Sequence, residues 1–301
     1  MTGVKRRFAP SDPVADTSLE VLARFVRLQV AERGGGRGLV IGLSGPQGSG
    51  KTTLAGQLRR RIDASGMSVV ALSLDDFYLR RAERQHLAAT VHPLLLTRGV
   101  PGTHDVALAL KALSALRRPG EVRLPAFDKA RDDRLPDSEW RVVRAPVDVV
   151  LFEGWCVGAP AQPEAALVRP INALERLEDP QGVWRRYVND ALANRYPPLW
   201  QALSALIVLS APGFEVVHGW RLQQEVELRA RMAASGGDAS GVMSDAALAR
   251  FVQHYERLTR VLQQVLPARA DVLVSLDAER NRTAVQVRPG VWGRRNDGRN
   301  A

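Results

Sequence analysis

With 301 residues, 45% of them hydrophobic and 25% charged, the chain is long enough to close one large α/β core of ordinary soluble composition. A single cysteine, Cys156, excludes an intrachain disulfide and fits a reducing, cytoplasmic compartment; no apolar stretch approaches the ~18 residues of a membrane span, and Lys5-Arg6-Arg7 is followed by no apolar signal region. The formal net charge of +10 suits nucleic acid, anionic lipid or phosphorylated small molecules, or reflects a general bias toward arginine; the arginines are scattered rather than gathered in a stripe with aromatics, which weakens the nucleic-acid reading.

Residues 1–16 are polar, with Pro10 and Pro13, and read as a disordered tail. Thr17 or Ser18 can cap a helix to about Arg33, with Leu19, Leu22, Phe25, Val26 and Val30 on one face and Gly34-Gly35-Gly36 as its stop. Leu39–Ser44 is an apolar run that predicts a buried strand, followed by a glycine-rich loop and a helix to about Ala64. Ser68–Leu74 predicts a second buried strand, and the β-α-β order implies a right-handed parallel unit. Residues 80–89 and 105–117 read as helices. The long loops Thr90–His104 and 119–146 between these elements suit an insert over a site. Val147–Phe152 returns to the core as a strand, 164–178 and 183–195 have helical spacing, and Ala205–Leu209 is a further buried strand. Two long helices, 214–233 and 244–265, and a strand pair, Val272–Leu276 with Thr283–Val287, complete residues 17–290 as one domain. Residues 90–140 and 214–250 are its insert and lid elements, and 291–301 a frayed tail.

The segment Gly45-Pro46-Gln47-Gly48-Ser49-Gly50-Lys51-Thr52 fits G-x-x-x-x-G-K-[ST] between a strand and a helix. In that context the backbone amides, with Thr53 continuing the first helical turn, cradle the phosphates of a nucleoside triphosphate. Lys51 reaches the β/γ-phosphates and the Thr52 hydroxyl binds Mg²⁺. Asp75 follows the second strand, where a carboxylate faces the γ-phosphate and can accept the proton of an attacking hydroxyl. Either Asp75 or its neighbour Asp76 can instead cap the following helix, and Asp76 suits the cap better. Glu153 ends a buried apolar strand in the Walker B manner, as a ligand to Mg²⁺ or as a solvent-facing strand end, and Gly154 lets the backbone pass close to the ligand. Arg98, His104 and Lys129 stand in the long loops, where a small anionic acceptor needs orienting groups; His104 can equally be a capping or core histidine. Arg229, and less so Arg231, can close over the phosphates from a lid helix or simply form a solvated face.

Taken as an ordered set, these motifs resemble the phosphoribulokinase/uridine kinase/pantothenate kinase group of P-loop kinases, in which an aspartate after the second strand is catalytic and a glutamate-glycine pair marks the metal-side strand. The chain is more specifically similar to the D-glycerate 3-kinase family. The carriers are Leu74–Tyr78, Arg98–Asp105, Pro125–Lys129, Phe152–Trp155, Trp220–Glu225 and Met243–Asp245, so the likeness runs from about residue 38 to 288. The resemblance implies a three-layer α/β/α P-loop NTPase fold with a mainly parallel central sheet and a helical lid. It also implies an ATP- and Mg²⁺-dependent kinase acting on a small-molecule hydroxyl, with Asp75, Tyr78, Arg98, His104 and Lys129 on the acceptor side. Ala130–Arg134 is shorter than the family pattern and Cys156–Ala159 departs from it, both where the acceptor should sit. D-glycerate is therefore the first expectation for the acceptor. Another sugar, a nucleoside, a pantothenate-like acceptor or a regulatory P-loop ATPase are the alternatives, and the sequence assigns no oligomeric state.

Overall fold

A computed structural model describes residues 18–35, 37–234 and 244–290. In chain order, α1 (Ser18–Glu32) leads into β1 (Leu39–Ser44), α2 (Lys51–Asp63) and β2 (Val69–Ser73). A tight 3-10 turn, Leu74–Phe77, precedes α3 (Arg81–Thr90) and α4 (Val106–Ala115). Four short strands follow: β3 (Gly120–Leu124), β4 (Phe127–Asp128), β5 (Asp133–Arg134) and β6 (Arg141–Ala145). Beyond them lie β7 (Val149–Gly154), α5 (Glu164–Leu167), α6 (Ala173–Glu178), α7 (Val183–Asn194), α8 (Pro197–Gln201) and β8 (Ala205–Ser210). The described chain ends with α9 (Phe214–Ala234), α10 (Asp245–Val265), β9 (Val272–Leu276) and β10 (Arg282–Val287).

The main sheet has the order β10-β9-β8-β1-β7-β2. All its pairings are parallel except that of β10, which closes the edge antiparallel to β9. Every residue of β1 and β7 is buried, as their unbroken apolar sequences require of strands covered on both faces. Alternation then sorts the side chains. Leu39, Ile41 and Leu43 pack with Phe25, Leu54 and Leu58 of α1 and α2, whereas Val40, Val150 and Phe152 pack with Leu113, Leu199 and Leu262 of α4, α8 and α10. The result is the expected three-layer α/β/α arrangement.

Three local readings needed correction. Residues 119–146 are not irregular: β3 pairs with β6, and β4 with β5 inside them, so the segment is one long nested hairpin whose tip is Lys129–Asp132. Its period-2 burial (Val122 and Leu124 in, Glu121 and Arg123 out) was concealed by a charged outer face and by Pro125 and Pro136. The 164–178 helix is two, α5 and α6; Pro170 interrupts it, and the Asn172 side chain restarts it by accepting from the Glu175 amide at 3.0 Å. The short helix α8, opening on Pro197-Pro198, was not anticipated.

Candidate active site

The phosphate loop leaves the carboxyl end of β1 and turns into α2 at Gly50, whose φ of 84° is left-handed. No side chain caps that helix start, so its first amides remain available to an anion. Gly48 also sits at φ 77°, and a Cβ there would lie 2.6 Å from Trp220 Cβ in the second turn of α9. Trp220 is buried and donates from Nε1 to the Ala278 carbonyl at 2.6 Å, so it forms a fixed wall beneath the loop. Lys51 is buried, and its ammonium donates to the Pro46 carbonyl at 2.9 Å. Burial pulls its pKa down, opposed by the charges of Glu153 and Asp75. Thr52 and Thr53 are exposed on the first turn of α2.

Neighbouring strands bring the acids in. Glu153 pairs in register with Leu43 of β1 and Ser73 of β2, so it stands between the phosphate loop and the turn carrying Asp75. The Thr52 hydroxyl donates to Glu153 Oε1 at 2.8 Å. The close approach that requires Gly154 is to Leu74: a Cβ there would meet the Leu74 Cβ at 2.8 Å, and its absence lets the ends of β7 and β2 converge. Asp76, as expected, serves the cap: Ser73 is the N-cap and Asp76 completes the capping box, accepting from the Ser73 amide at 3.3 Å, and burial raises its pKa to about 6. Asp75 is left for other work. Its Oδ1 accepts from the Tyr78 hydroxyl and its Oδ2 from the Lys129 ammonium, both at 2.7 Å. Burial would raise its pKa, but the Lys129 charge and these two hydrogen bonds prevail and hold it below the usual carboxylate value.

Behind Asp75 lies a buried aromatic wall. Tyr78 stacks on His104 with ring centroids 4.7 Å apart, and His104 Nδ1 lies 2.6 Å from the Tyr196 hydroxyl. His104 Nε2 has no hydrogen-bond partner among the described residues. Burial depresses the His104 pKa to about 4 against the pull of Asp75, and burial does the same to His254 on α10. The unfolded chain therefore takes up these protons first on acidification. Their contribution is fully present above about pH 6.5 and is lost as pH falls toward 4. The thermal unfolding midpoint should drop across this window, above most carboxylate titration; a midpoint flat from pH 7 to 4.5 would contradict the neutral buried state.

Arg98 does not project freely into the cleft. It pairs with the Asp132 carboxylate, donates to the Lys129 carbonyl at 3.4 Å and lies over the Phe127 ring at 5.4 Å. Arg84 of α3, fully buried, meets Asp132 from the other side: Nη2 is 3.0 Å from the carboxylate and 2.6 Å from the Asp132 carbonyl, and its other nitrogens donate to Leu79 and Leu96 carbonyls. Two guanidiniums thus clamp the hairpin tip, with Asp132 at φ 53°. Arg84→Ala should cost about 2–4 kcal/mol in denaturant unfolding, because it removes a fully buried side chain and leaves the Leu79, Leu96 and Asp132 carbonyls without their donor, while Arg98 still pairs with the Asp132 carboxylate. A loss below about 1 kcal/mol would show that the clamp is dispensable.

The Arg98–His104 loop is held as tightly. Tyr255 of α10 donates to the Arg98 carbonyl at 2.9 Å, Trp155 Nε1 to the Gly99 carbonyl at 2.8 Å, and the Tyr196 hydroxyl accepts from the Gly102 amide at 3.0 Å. Gly99 cannot carry a side chain, since a Cβ would fall 2.1 Å from the Tyr255 hydroxyl. Lys51, Thr52, Asp75, Tyr78, His104, Lys129 and Glu153 are thus joined in one network of contacts and charges, while Arg98 supports it from behind. Sequence reasoning missed Arg84, Asp132, Tyr196 and Tyr255, which carry no local motif. The side chains of Arg229 and Arg231 lie outside the described residues. No helix among the described residues is long and apolar enough to cross a membrane.

Comparison with known proteins agrees with this geometry. Residues 40–159 match the phosphoribulokinase / uridine kinase family model. An uncharacterized kinase of Schizosaccharomyces pombe is 36% identical over 79% of this chain and 87% of its own length. The chloroplastic D-glycerate 3-kinase of Arabidopsis thaliana is 33% identical over 81% of this chain, which spans only 53% of that protein. In structure, D-glycerate 3-kinase from Cryptococcus neoformans superposes with a TM-score of 0.72 over 91% of this chain and 100% of that one, at 24% identity, a likeness of fold. The phosphate loop, the strand-end glutamate beside it and the full-length relative together place the chain in the phosphoribulokinase/uridine kinase family of P-loop kinases.

Proposed function

We propose that this protein transfers the γ-phosphate of Mg·ATP to a hydroxyl of D-glycerate. The observation that carries the kinase chemistry is the convergence of Lys51, the Thr52–Glu153 pair and Asp75 at the ends of three adjacent strands. Phosphoryl transfer asks for little covalent help; it needs positioned phosphates, neutralised charge and an acid beside the acceptor hydroxyl. In this reading the amides of the phosphate loop hold the triphosphate, Lys51 turns from Pro46 to the terminal phosphates, and Asp75 takes the hydroxyl proton.

Thr52 and Glu153 offer two hard oxygen donors side by side, and no cluster of three or more His, Cys, Asp or Glu exists among the described residues. Such a sparse set suits Mg²⁺, which keeps several waters and takes its remaining ligands from phosphate oxygens. When bound, the ion would neutralise charge on the β- and γ-phosphates.

D-glycerate is favoured by the 33% identical plant relative and by a cation, Lys129, beside Asp75 that can meet a carboxylate. The test is ADP release measured with D-glycerate and with a panel of hydroxy acids, sugars, nucleosides and pantothenate. Release stimulated by D-glycerate, with formation of a phosphoglycerate, is the expected result. Stimulation by a different compound alone would reassign the acceptor, and release indifferent to all of them would point to a regulatory ATPase.

A further inference from the structure

Both oxygens of the Asp75 carboxylate are taken in this structure. Tyr78 holds Oδ1 and cannot readily leave: it is 4% exposed, stacked on His104, and its carbonyl accepts two hydrogen bonds from Arg134 at 3.2 and 2.8 Å. Lys129 holds Oδ2 under opposite conditions. Its backbone is fixed, because the hairpin tip is clamped through Asp132 by Arg84 and Arg98, but its side chain is 62% exposed. A long, exposed aliphatic stem on a rigid base is a swing arm.

We propose that Lys129 is a removable cap on the catalytic base, drawn off Asp75 by an anionic group of the acceptor itself. The inference rests on the kinase reading above and adds a device to it. A carboxylate whose two oxygens already accept short hydrogen bonds, one from an ammonium, has little tendency to take a further proton. With Lys129 in place, a water that reaches the γ-phosphate meets a blocked base, and ATP is spared. An acceptor carrying a carboxylate or phosphate competes for the ammonium, and Lys129 moves from Asp75 to the acceptor anion. Oδ2 then takes the proton of the acceptor hydroxyl as the new oxygen–phosphorus bond forms. The bond between the γ-phosphorus and the bridging oxygen breaks, and its electron pair leaves with ADP. Lys129 thus couples recognition of the anion to release of the base, and an uncharged alcohol of similar size is a poor acceptor because it leaves the cap in place.

Lys129→Met tests this, since it keeps the stem and removes the charge at an exposed position. ADP release without acceptor should rise about tenfold or more, the scale of losing one charge-assisted hydrogen bond. The KM for the anionic acceptor should rise as well. A structural defect would lower both activities; a cap raises one while weakening the other. In Lys129→Met/Asp75→Asn the gain in hydrolysis should vanish. If Lys129→Met binds nucleotide normally yet hydrolyses ATP no faster than the unaltered chain, the cap is overturned. If instead the unaltered chain binds no nucleotide, the kinase assignment fails and the cap falls with it.

Discussion

Asp75→Asn should leave the affinity for Mg·ATP near its original level and lower acceptor phosphorylation by roughly 10²–10⁴-fold. Asparagine keeps the shape of the side chain, and its remaining oxygen can still accept from the Tyr78 hydroxyl that now donates to Oδ1. Its amide nitrogen faces the Lys129 ammonium, donor against donor, and the exposed Lys129 side chain can retreat to water. The fold has no stake in the lost charge. The turn after β2 is secured by Ser73 and Asp76, with the Asp75 backbone amide, not its side chain, donating to Ser73 Oγ at 3.3 Å. What disappears is the one acid beside Lys51 and Glu153 that caps no helix and pairs with no hydroxyl of the phosphate loop. Nucleotide binding measured beside turnover separates the two roles. An unchanged rate would return Asp75 to a structural position and leave the chain without a base.

Reading the sequence worked where function is written in contiguous residues. The phosphate loop needs glycines and a lysine in fixed order between a buried strand and a helix, and β1 spans Leu39–Ser44 as the apolar run indicated. Asp75 and Glu153 stood out because each ends a parallel strand, where ligands of such sheets bind. The wall behind Asp75 was legible only in part. Tyr196, in the bend before α8, and Tyr255, on α10, reach the Arg98–His104 loop from ~90–160 residues away, and in the sequence they look like ordinary core aromatics. Arg84 sits in a run of charged residues on α3 and gave no sign that it alone is fully buried. Lys129 was expected to grip the acceptor, and its pairing with Asp75 follows from the nested hairpin, which charge and proline had disguised. Local chemistry is encoded locally; the clamps that aim it are long-range, and their partners share no spacing.

Lys51→Ala should weaken Mg·ATP binding and cut transfer by roughly 10²–10³-fold or more, the scale of removing a group that stabilises developing charge in a water-poor site. Lys51 is nearly shielded from solvent, and its ammonium donates to a carbonyl of the loop it serves. A buried ammonium facing two acids, with its pKa drawn down by burial, is held for an anion rather than for the fold. Alanine removes the positive charge that Glu153 and Asp75 share with the phosphate loop and leaves two acids beside the place of the phosphates. Lys51→Arg is not a rescue: a buried point charge that donates to one loop carbonyl is replaced by a wider planar fork, so the variant should remain well below the unaltered chain. The contrast with Asp75→Asn is the discriminating result. Losing the cation should harm binding and transfer together, whereas losing the acid should harm transfer alone, and the opposite pattern would mean that the triphosphate does not lie in this loop.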